Sequence, residues 1–156
     1  MRKFLTVFGA IALAVVVLAA IGIGYAAWRG SALDRESKTF VDEAVPAISA
    51  RWDKQQLLDR ATPELRAAAS PEQIATLFAT LSRLGPLIEY RGAKGDANMA
   101  WTAGSGSVTS ATYVATAHFQ NGNASFRIVL LKRDGHWMIH NFHVDPAPPD
   151  SPPKRT

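Results

Sequence analysis

Histidine is the residue type in this sequence best suited to chemistry, because imidazole binds transition metals and carries protons near neutral pH. The last quarter of the chain contains all four: His118, His136, His140 and His143. The strand pattern described below places His136 at a turn and His143 on the face towards the helices. Only His118 and His140 share the other face, with Arg127 beside them. A cation next to two ligands opposes metal binding, and no thiolate or carboxylate completes a site, so we predict no metal site. These three residues form either an anion-binding spot or an ordinary exposed part of a sheet.

Proton-transfer chemistry needs an acid and a base in one site, and the sequence offers only the acid. Tyr90 and Tyr113 could donate protons, but the predicted strands hold no carboxylate in their interiors to act as a base. Tyr113 is better explained as a core residue whose hydroxyl reaches solvent. Motifs of serine hydrolases, phosphate-binding loops and dinucleotide-binding folds are absent. We predict that the protein is not an enzyme and needs no cofactor.

The composition excludes several further classes of function. The 156 residues include no cysteine, which rules out disulfides, thiolate metal sites and a cysteine nucleophile. The 17 Lys and Arg outnumber the 13 Asp and Glu, but they are scattered along the chain rather than clustered. A nucleic-acid surface needs clustered basic residues with stacking aromatics, so we predict no nucleic-acid partner.

The N-terminal part of the chain has the pattern of a membrane segment. Residues 4–28 carry no charge, and as a helix they would measure about 37 Å against about 30 Å for the apolar core of a bilayer. Arg2 and Lys3 before this run predict an N-terminus inside the cell and a single pass through a bacterial inner membrane. A signal peptide cleaved near Gly24-Tyr25-Ala26 is the alternative. In either case the domain that follows lies in the periplasm.

Three parts of the chain follow from these patterns. Residues 1–28 are the predicted membrane anchor or signal peptide, and residues 29–145 are long enough for one α+β domain with a single hydrophobic core. Residues 146–156 are rich in proline and predict a disordered tail.

Helices are predicted over the first half of the exported domain. Apolar residues recur at helical spacing from Leu33 to Trp52, and Pro46 predicts a kink or a short break in that helix. Shorter helices follow, each opened by a side chain of a type that caps helix N-termini: Asp53, Thr62 and Ser70. Gly85 and the proline after it end the last helix.

After Gly85 the apolar pattern changes to the alternation that is typical of strands. Four strands are predicted at about 87–101, 108–120, 124–133 and 137–144, the first with an irregular middle at Gly92–Gly95. Asn121-Gly122 and Asp134-Gly135 predict two-residue type I′ turns, because both central residues of such turns need positive φ. Helices followed by a four-stranded antiparallel meander define an α+β fold.

The two turns determine which side chains share a face of the sheet. They place Val114 opposite Val129, and Arg127 opposite Phe142. One face is rich in aromatic residues and is predicted to pack under the helices. The opposite face, called the outer face below, is too apolar for solvent and too polar for a core, so we predict that a partner or a groove covers it. Its predicted partner-binding residues are Val114, His118, Arg127, Val129, Leu131, Met138, His140 and Phe142.

Residues 34–145 resemble the nuclear-transport-factor-two-like, or cystatin-like, cone fold. The motifs that carry the resemblance are Ser70-Pro71-Glu72-Gln73, the helix end at 82–87, the hairpin at 119–122 and the stretch at 131–137. The resemblance implies three or four helices on a curved sheet, a cone that can hold a small ligand, and an outer sheet surface that often forms dimers. It extends to small exported bacterial proteins of unknown function and to membrane-anchored assembly factors of secretion machines. None of these motifs is specific to an activity.

Two hypotheses of function follow. The first is a non-catalytic, membrane-tethered module that docks another protein or a second copy of itself through the outer face. The second is an extracytoplasmic carrier or sensor of a small apolar ligand held in the cone. The residues predicted to line that cone are Phe78, Tyr113, Phe119, Phe126 and Trp137. An outer face that is merely solvated, without a role, is the simplest alternative to both.

Overall fold

A computed structural model describes residues 30–102 and 106–148 of the chain. The chain divides into two compact units, Met1–Leu33 and Asp34–Thr156, and the architecture below is that of the second. The predicted membrane segment at residues 4–28 and most of the predicted proline-rich tail lie outside the described residues. Among the residues that are described, no helix is long and apolar enough to cross a membrane.

The helices precede the sheet in the chain, as the sequence predicts. They are α1 (residues 30–49), α2 (Lys54–Arg60), α3 (Pro63–Ala68) and α4 (Pro71–Leu81), followed by a single 3-10 turn at Ser82–Leu84. Helix α1 continues through Pro46, so the predicted break at that proline is absent. The predicted N-caps are confirmed, because the side chains of Asp53, Thr62 and Ser70 each accept a hydrogen bond from a backbone N–H of the first helical turn.

The four strands form one antiparallel sheet in the order β1-β2-β3-β4. Their bounds are β1 Leu87–Thr102, β2 Gly106–Phe119, β3 Gly122–Arg133 and β4 His136–Ala147. The α+β class is therefore confirmed: helices pack on a four-stranded antiparallel sheet. Strand β4 extends two residues into the predicted tail, since Pro146 and Ala147 pair with β3.

Small side chains let helix α1 lie close to the sheet. On the helix side of β2, Ala111, Ala115 and Ala117 are buried, and Ala93 of β1 is buried beside them. Against them α1 contributes the buried residues Val41, Ala44, Val45 and Ile48, which recur at helical spacing. Because alanine adds only a methyl group above the sheet, the helix can approach the strands directly.

An aromatic cluster fills the other half of the core. Trp52, just after α1, stacks on Phe119 of β2 at 5.5 Å between ring centroids and on Phe126 of β3 at 6.2 Å. Phe78 of α4 meets the same indole edge-on at 5.6 Å. Rings at these separations are in direct contact and gain about 0.5–1.5 kcal/mol per pair beyond the area they bury.

Both edges of the sheet are partly covered by the chain itself. At the β4 edge, Ala61 forms a parallel bridge with Ile139, and the Thr62 N–H donates to the Ile139 carbonyl at 2.8 Å. At the β1 edge, the Ala97 N–H donates to the Asp34 carboxylate at 2.6 Å. Covered edges limit strand-to-strand association with other chains.

The first hairpin turn falls one residue earlier than predicted. Phe119 pairs with Gly122, so Gln120 and Asn121 are the central residues, and Val114 faces Arg127 rather than Val129. Contacts outside the hairpin decide this, because the Asn121 N–H donates to the Leu84 carbonyl and a Cβ on Gly122 would lie 2.8 Å from the Ala147 carbonyl oxygen. The pairing moves by two residues, an even number, so each side chain keeps its predicted face.

A bulge in β4 reverses the faces of the residues that follow it. Leu130 pairs with Ile139, but Val129 pairs with Asn141, so His140 is an extra residue. The prediction that Phe142 lies on the outer face is therefore wrong: it faces the helix side, where its ring lies 5.9 Å from Phe126. His143 was predicted on the helix side, but it lies exposed on the outer face beside Arg127.

Candidate interaction surface

Alternating burial along the strands defines the outer face. In β2 every second residue from Ala111 to Phe119 is buried, while the residues between them keep some solvent exposure. Strand β3 shows the same alternation. Side chains directly paired across strands point to the same side of a sheet, so the pairing identifies the outer-face members of all four strands.

An apolar centre lies on this face. It consists of four partly exposed side chains: Val114, Val129, Leu131 and Met138. Leu131 and Met138 are direct cross-strand partners, and Val129 is the next residue on that side of β3. Val114 faces Arg127 on the neighbouring strand, diagonal to Val129. The structure thus brings together four of the eight predicted partner-binding residues as one contiguous patch.

Charged and polar residues surround the apolar centre. The cross-strand series Lys94, Val114, Arg127 and His143 runs across the whole sheet. The next series towards the β1–β2 hairpin tip is Asp96, Thr112, Val129 and Asn141. Lys94, Asp96 and Arg127 are exposed and make no ion pair within the described residues. The face therefore combines an apolar centre with unpaired charges of both signs, the anatomy of a protein-protein contact.

The histidines do not assemble into one site. His118 lies on the outer face, where its Nδ1 is 2.8 Å from the Asn123 side-chain oxygen. His140 instead contacts the buried Thr62 hydroxyl at the β4 edge, with Nδ1 3.3 Å from Oγ1. The predicted spot of Arg127 with His118 and His140 is thus not formed, and His143 is the histidine next to Arg127. Within residues 30–102 and 106–148, no group of three or more His, Cys, Asp or Glu could hold a metal ion.

The residues predicted to line a ligand cone lie in the core. All five are buried: Phe78, Tyr113, Phe119, Phe126 and Trp137. Trp52 lies among three of them in direct ring contact, so these rings pack against each other. Trp52 is a member of this aromatic cluster that the predicted set did not include, although its place at the end of a helical apolar stripe indicates burial.

Two tyrosines of the sheet form hydrogen bonds with residues of helix α1. Tyr90 donates to Asp42 Oδ1 at 2.7 Å, and the other oxygen of Asp42 pairs with Lys38. Tyr113 donates to the Asp34 carbonyl at 3.0 Å and lies 2.9 Å from the Ser37 hydroxyl. The Asp42 carboxylate and the Asp34 carbonyl come from a helix 48 and 79 residues away from Tyr90 and Tyr113, so the strand pattern does not show them. Asp42 thus connects helix α1 to strand β1 through Tyr90.

Burial raises the pKa of both tyrosines above the ordinary value of 10.0, and the hydrogen bond to Asp42 raises the pKa of Tyr90 further. A raised folded-state pKa means that these groups contribute full stability below pH 10 and lose it as the pH rises beyond. We expect thermal stability to fall between pH 10 and 11, and to fall less steeply in Tyr90→Phe. Melting temperatures of the two proteins at pH 8, 10 and 11 measure this; parallel declines would contradict it.

The described residues form an α+β domain with helices on one side of a meander sheet and a mixed apolar and charged surface on the other. Comparisons with protein-family models, curated proteins and solved structures find no match to this chain. A function is therefore proposed from the geometry of the domain itself.

Two outer-face features were missed by sequence reasoning. Lys94 lies in the predicted irregular middle of β1 and Asp96 directly follows it, after two register shifts between Leu87 and Ala93 that hide the alternation. His143 was assigned to the helix side because the pattern does not show the bulge at His140. The only sequence signal for Lys94 and Asp96 is that they flank Gly95, a residue type that often marks close backbone approach in strands.

Proposed function

We propose that this chain is a non-catalytic interaction module, tethered to a bacterial inner membrane by residues 4–28, with its α+β domain in the periplasm. It binds another protein, or a second copy of itself, through the outer face of the sheet. The observation that carries the proposal is the apolar centre, which keeps solvent exposure while Tyr113, Phe119 and Phe126 on the other face are fully buried. The charge-free run behind Arg2 and Lys3 supports the tether.

The physical reason to expect binding at the outer face is the free energy gained when exposed apolar surface is removed from water. Each Å² of apolar area removed from water contributes about 25 cal/mol, so contiguous aliphatic side chains stabilise a complex that covers them. Lys94 and Arg127 at the margin add orientation and partner selection rather than affinity.

The second hypothesis, a carrier of a small apolar ligand, has less support. A ligand would have to displace rings that already contact each other at 5.5–6.2 Å between centroids. Displacing Trp52 from Phe119 and Phe126 removes stacking that the ligand must replace. We therefore keep the interaction module as the proposed function.

Replacing Val129 and Met138 together by lysine is expected to abolish binding through the outer face. Both side chains are partly exposed, so the lysines reach solvent in the free domain, but they place two charges in the centre of the complex. We expect affinity to fall at least a hundredfold. The measurement is chemical cross-linking of the full chain in membranes, with the cross-linked species identified by mass.

Leu77→Lys is the matched control. Leu77 is 46% exposed on α4, on the helical side of the domain, so its replacement tests a charge on an exposed apolar position away from the outer face. The control is expected to leave the cross-linked species unchanged. If Val129→Lys with Met138→Lys cross-links like the wild type, the outer face is not the interface.

A further inference from the structure

We propose that the end of the β1–β2 hairpin is a lipid-binding site, which enters the headgroup layer of the membrane that holds the tether. The residues that make the contact are Met99, Ala100 and Val108, called the tip residues below. All three are exposed, and Met99 at 47% and Val108 at 40% are among the four large apolar side chains exposed within residues 30–102 and 106–148. The site rests on the proposed function, since it needs the tether, and it gives the domain a second contact with the same membrane.

Helix α1 runs antiparallel to β1, so its N-terminal end and the end of the hairpin point to the same side of the domain. The Ala97 N–H of β1 donates to the carboxylate of Asp34, near the start of α1. Tyr90, which comes earlier in β1, donates to Asp42, about two turns further along α1. The chain therefore enters the domain at the end of the sheet where the tip residues lie.

The length of the chain limits how far the tip residues can lie from the membrane. Trp28 ends the uncharged run, and the six residues from there to Asp34 span about 9 Å as a helix or about 20 Å fully extended. Val108 pairs with Ala100, three residues beyond Ala97, so it projects about 10 Å further towards the side from which the chain enters. The headgroup layer adds about 5–8 Å to each side of the apolar core of a bilayer. The tip residues are therefore within reach of it.

The hairpin lacks the charges that would oppose entry into this layer. Residues 97–117 contain no Asp, Glu, Lys or Arg, although these types make up 19% of the chain. The charged or titratable residues nearest to the tip lie on β1, on the first turns of α1 and on the β3–β4 turn: Asp96, Asp34, Arg35, Glu36, Lys38, Lys132, Arg133, Asp134 and His136. Four of these are acidic and four are basic, and Lys132 pairs with Glu36. The contact is thus apolar, and it is expected to depend little on salt or on headgroup charge.

A lipid surface suits the small size of this site better than a protein does. A specific protein interface buries about 1,200–2,000 Å², far more than three tip residues offer. Met99 lies on the helix side of the hairpin and Val108 on the outer side, so a hairpin that enters lipid end-on removes both from water. Because the tether makes this binding intramolecular, a weak contact is enough to hold the domain in one orientation.

The experiment measures how close two positions of β1 come to lipid headgroups. The chain has no cysteine, so Met99→Cys and Ile88→Cys each introduce a single thiol for an environment-sensitive fluorophore. Ile88 is the matched control, because it is 61% exposed on the same strand but lies about 35 Å from Met99. The full chain is placed in phosphatidylcholine nanodiscs with or without a nitroxide on the headgroups. The label at position 99 is expected to lose at least about half of its fluorescence to the nitroxide, and the label at position 88 less than about a tenth.

A charge at the tip tests whether the contact is apolar. Val108→Asp, added to the chain labelled at position 99, is expected to reduce the quenching at least about threefold, because a carboxylate resists leaving water. Ile88→Asp is expected to leave the quenching unchanged. Both side chains are exposed, so melting temperatures within a few degrees of wild type verify the fold. Equal quenching at positions 99 and 88, or quenching that persists in Val108→Asp, overturns the lipid contact.

Failure of the proposed function gives a different result. A chain that does not enter nanodiscs has no tether, which overturns both proposals. A chain that enters them with an unquenched label at position 99 keeps the tether and the outer face, and only the lipid contact is lost. If that unquenched label nevertheless reports an apolar environment, a second copy of the chain covers the hairpin in place of lipid, and the lipid contact is again overturned.

Discussion

Replacing Trp52 by alanine is expected to lower the free energy of unfolding by about 3–5 kcal/mol, the range for large aromatic residues in a packed core. Trp52 is 7% exposed and contacts Phe78, Phe119 and Phe126, which come from a helix and two strands. Its loss therefore opens a cavity where three elements meet. Pulse proteolysis in urea measures the change, since cleavage follows the unfolded fraction.

The backbone conformation at Trp52 allows Trp52→Ala to be compared with Trp52→Gly. Its φ of 50° is left-handed, and the Asp53 N–H donates to the Ile48 carbonyl at 3.1 Å, so Trp52 occupies the position after a helix that glycine usually takes. Trp52→Gly removes the same ring but relieves the backbone, so it is expected to be about 1 kcal/mol more stable than Trp52→Ala. Equal stability of the two variants would show that the left-handed backbone costs nothing here.

Gly95→Ala is expected to destabilise the domain by about 3 kcal/mol or more, because the new methyl group has no space. A Cβ at Gly95 would lie 1.9 Å from the Thr112 carbonyl oxygen and 2.8 Å from Tyr113 Cα, both backbone atoms of the paired strand. Strand β1 must then separate from β2 next to Tyr113, whose hydroxyl anchors α1. Urea midpoints from pulse proteolysis measure the loss.

Gly92→Ala is the matched control for Gly95. Gly92 has a φ of 88°, but a Cβ there meets nothing within 4 Å, so alanine is strained only in its backbone. We expect a cost of about 1–2 kcal/mol. If Gly95→Ala costs no more than Gly92→Ala, the close approach of β1 to β2 is not a constraint on the fold.

Local interactions explain why most elements could be predicted. A cap such as Ser70 with Gln73 is complete within four residues, and its hydrogen bonds are present as expected. The Asp134-Gly135 turn has positive φ at both residues, as a two-residue hairpin requires. The candidate site was predictable to the same extent: Val114, Val129 and Leu131 lie on the outer face because strand alternation is itself local.

The remaining features depend on residues far apart in the sequence. Asn121-Gly122 is as good a turn signal as Asp134-Gly135, but Leu84 and Ala147 hold Asn121 and Gly122 in other positions. The bulge at His140 lies where Thr62 contacts β4, and no pattern within the strand reveals that contact.

By itself, then, the sequence determined the helices, the strands, the α+β class and the alternation that creates two faces, because each depends on neighbours a few residues away. Only the tertiary structure decided the strand register, the faces of Phe142 and His143, and the placement of Lys94 and Asp96 beside the apolar centre. Packing and hydrogen bonds between distant segments select among pairings that local preferences leave nearly equal in free energy.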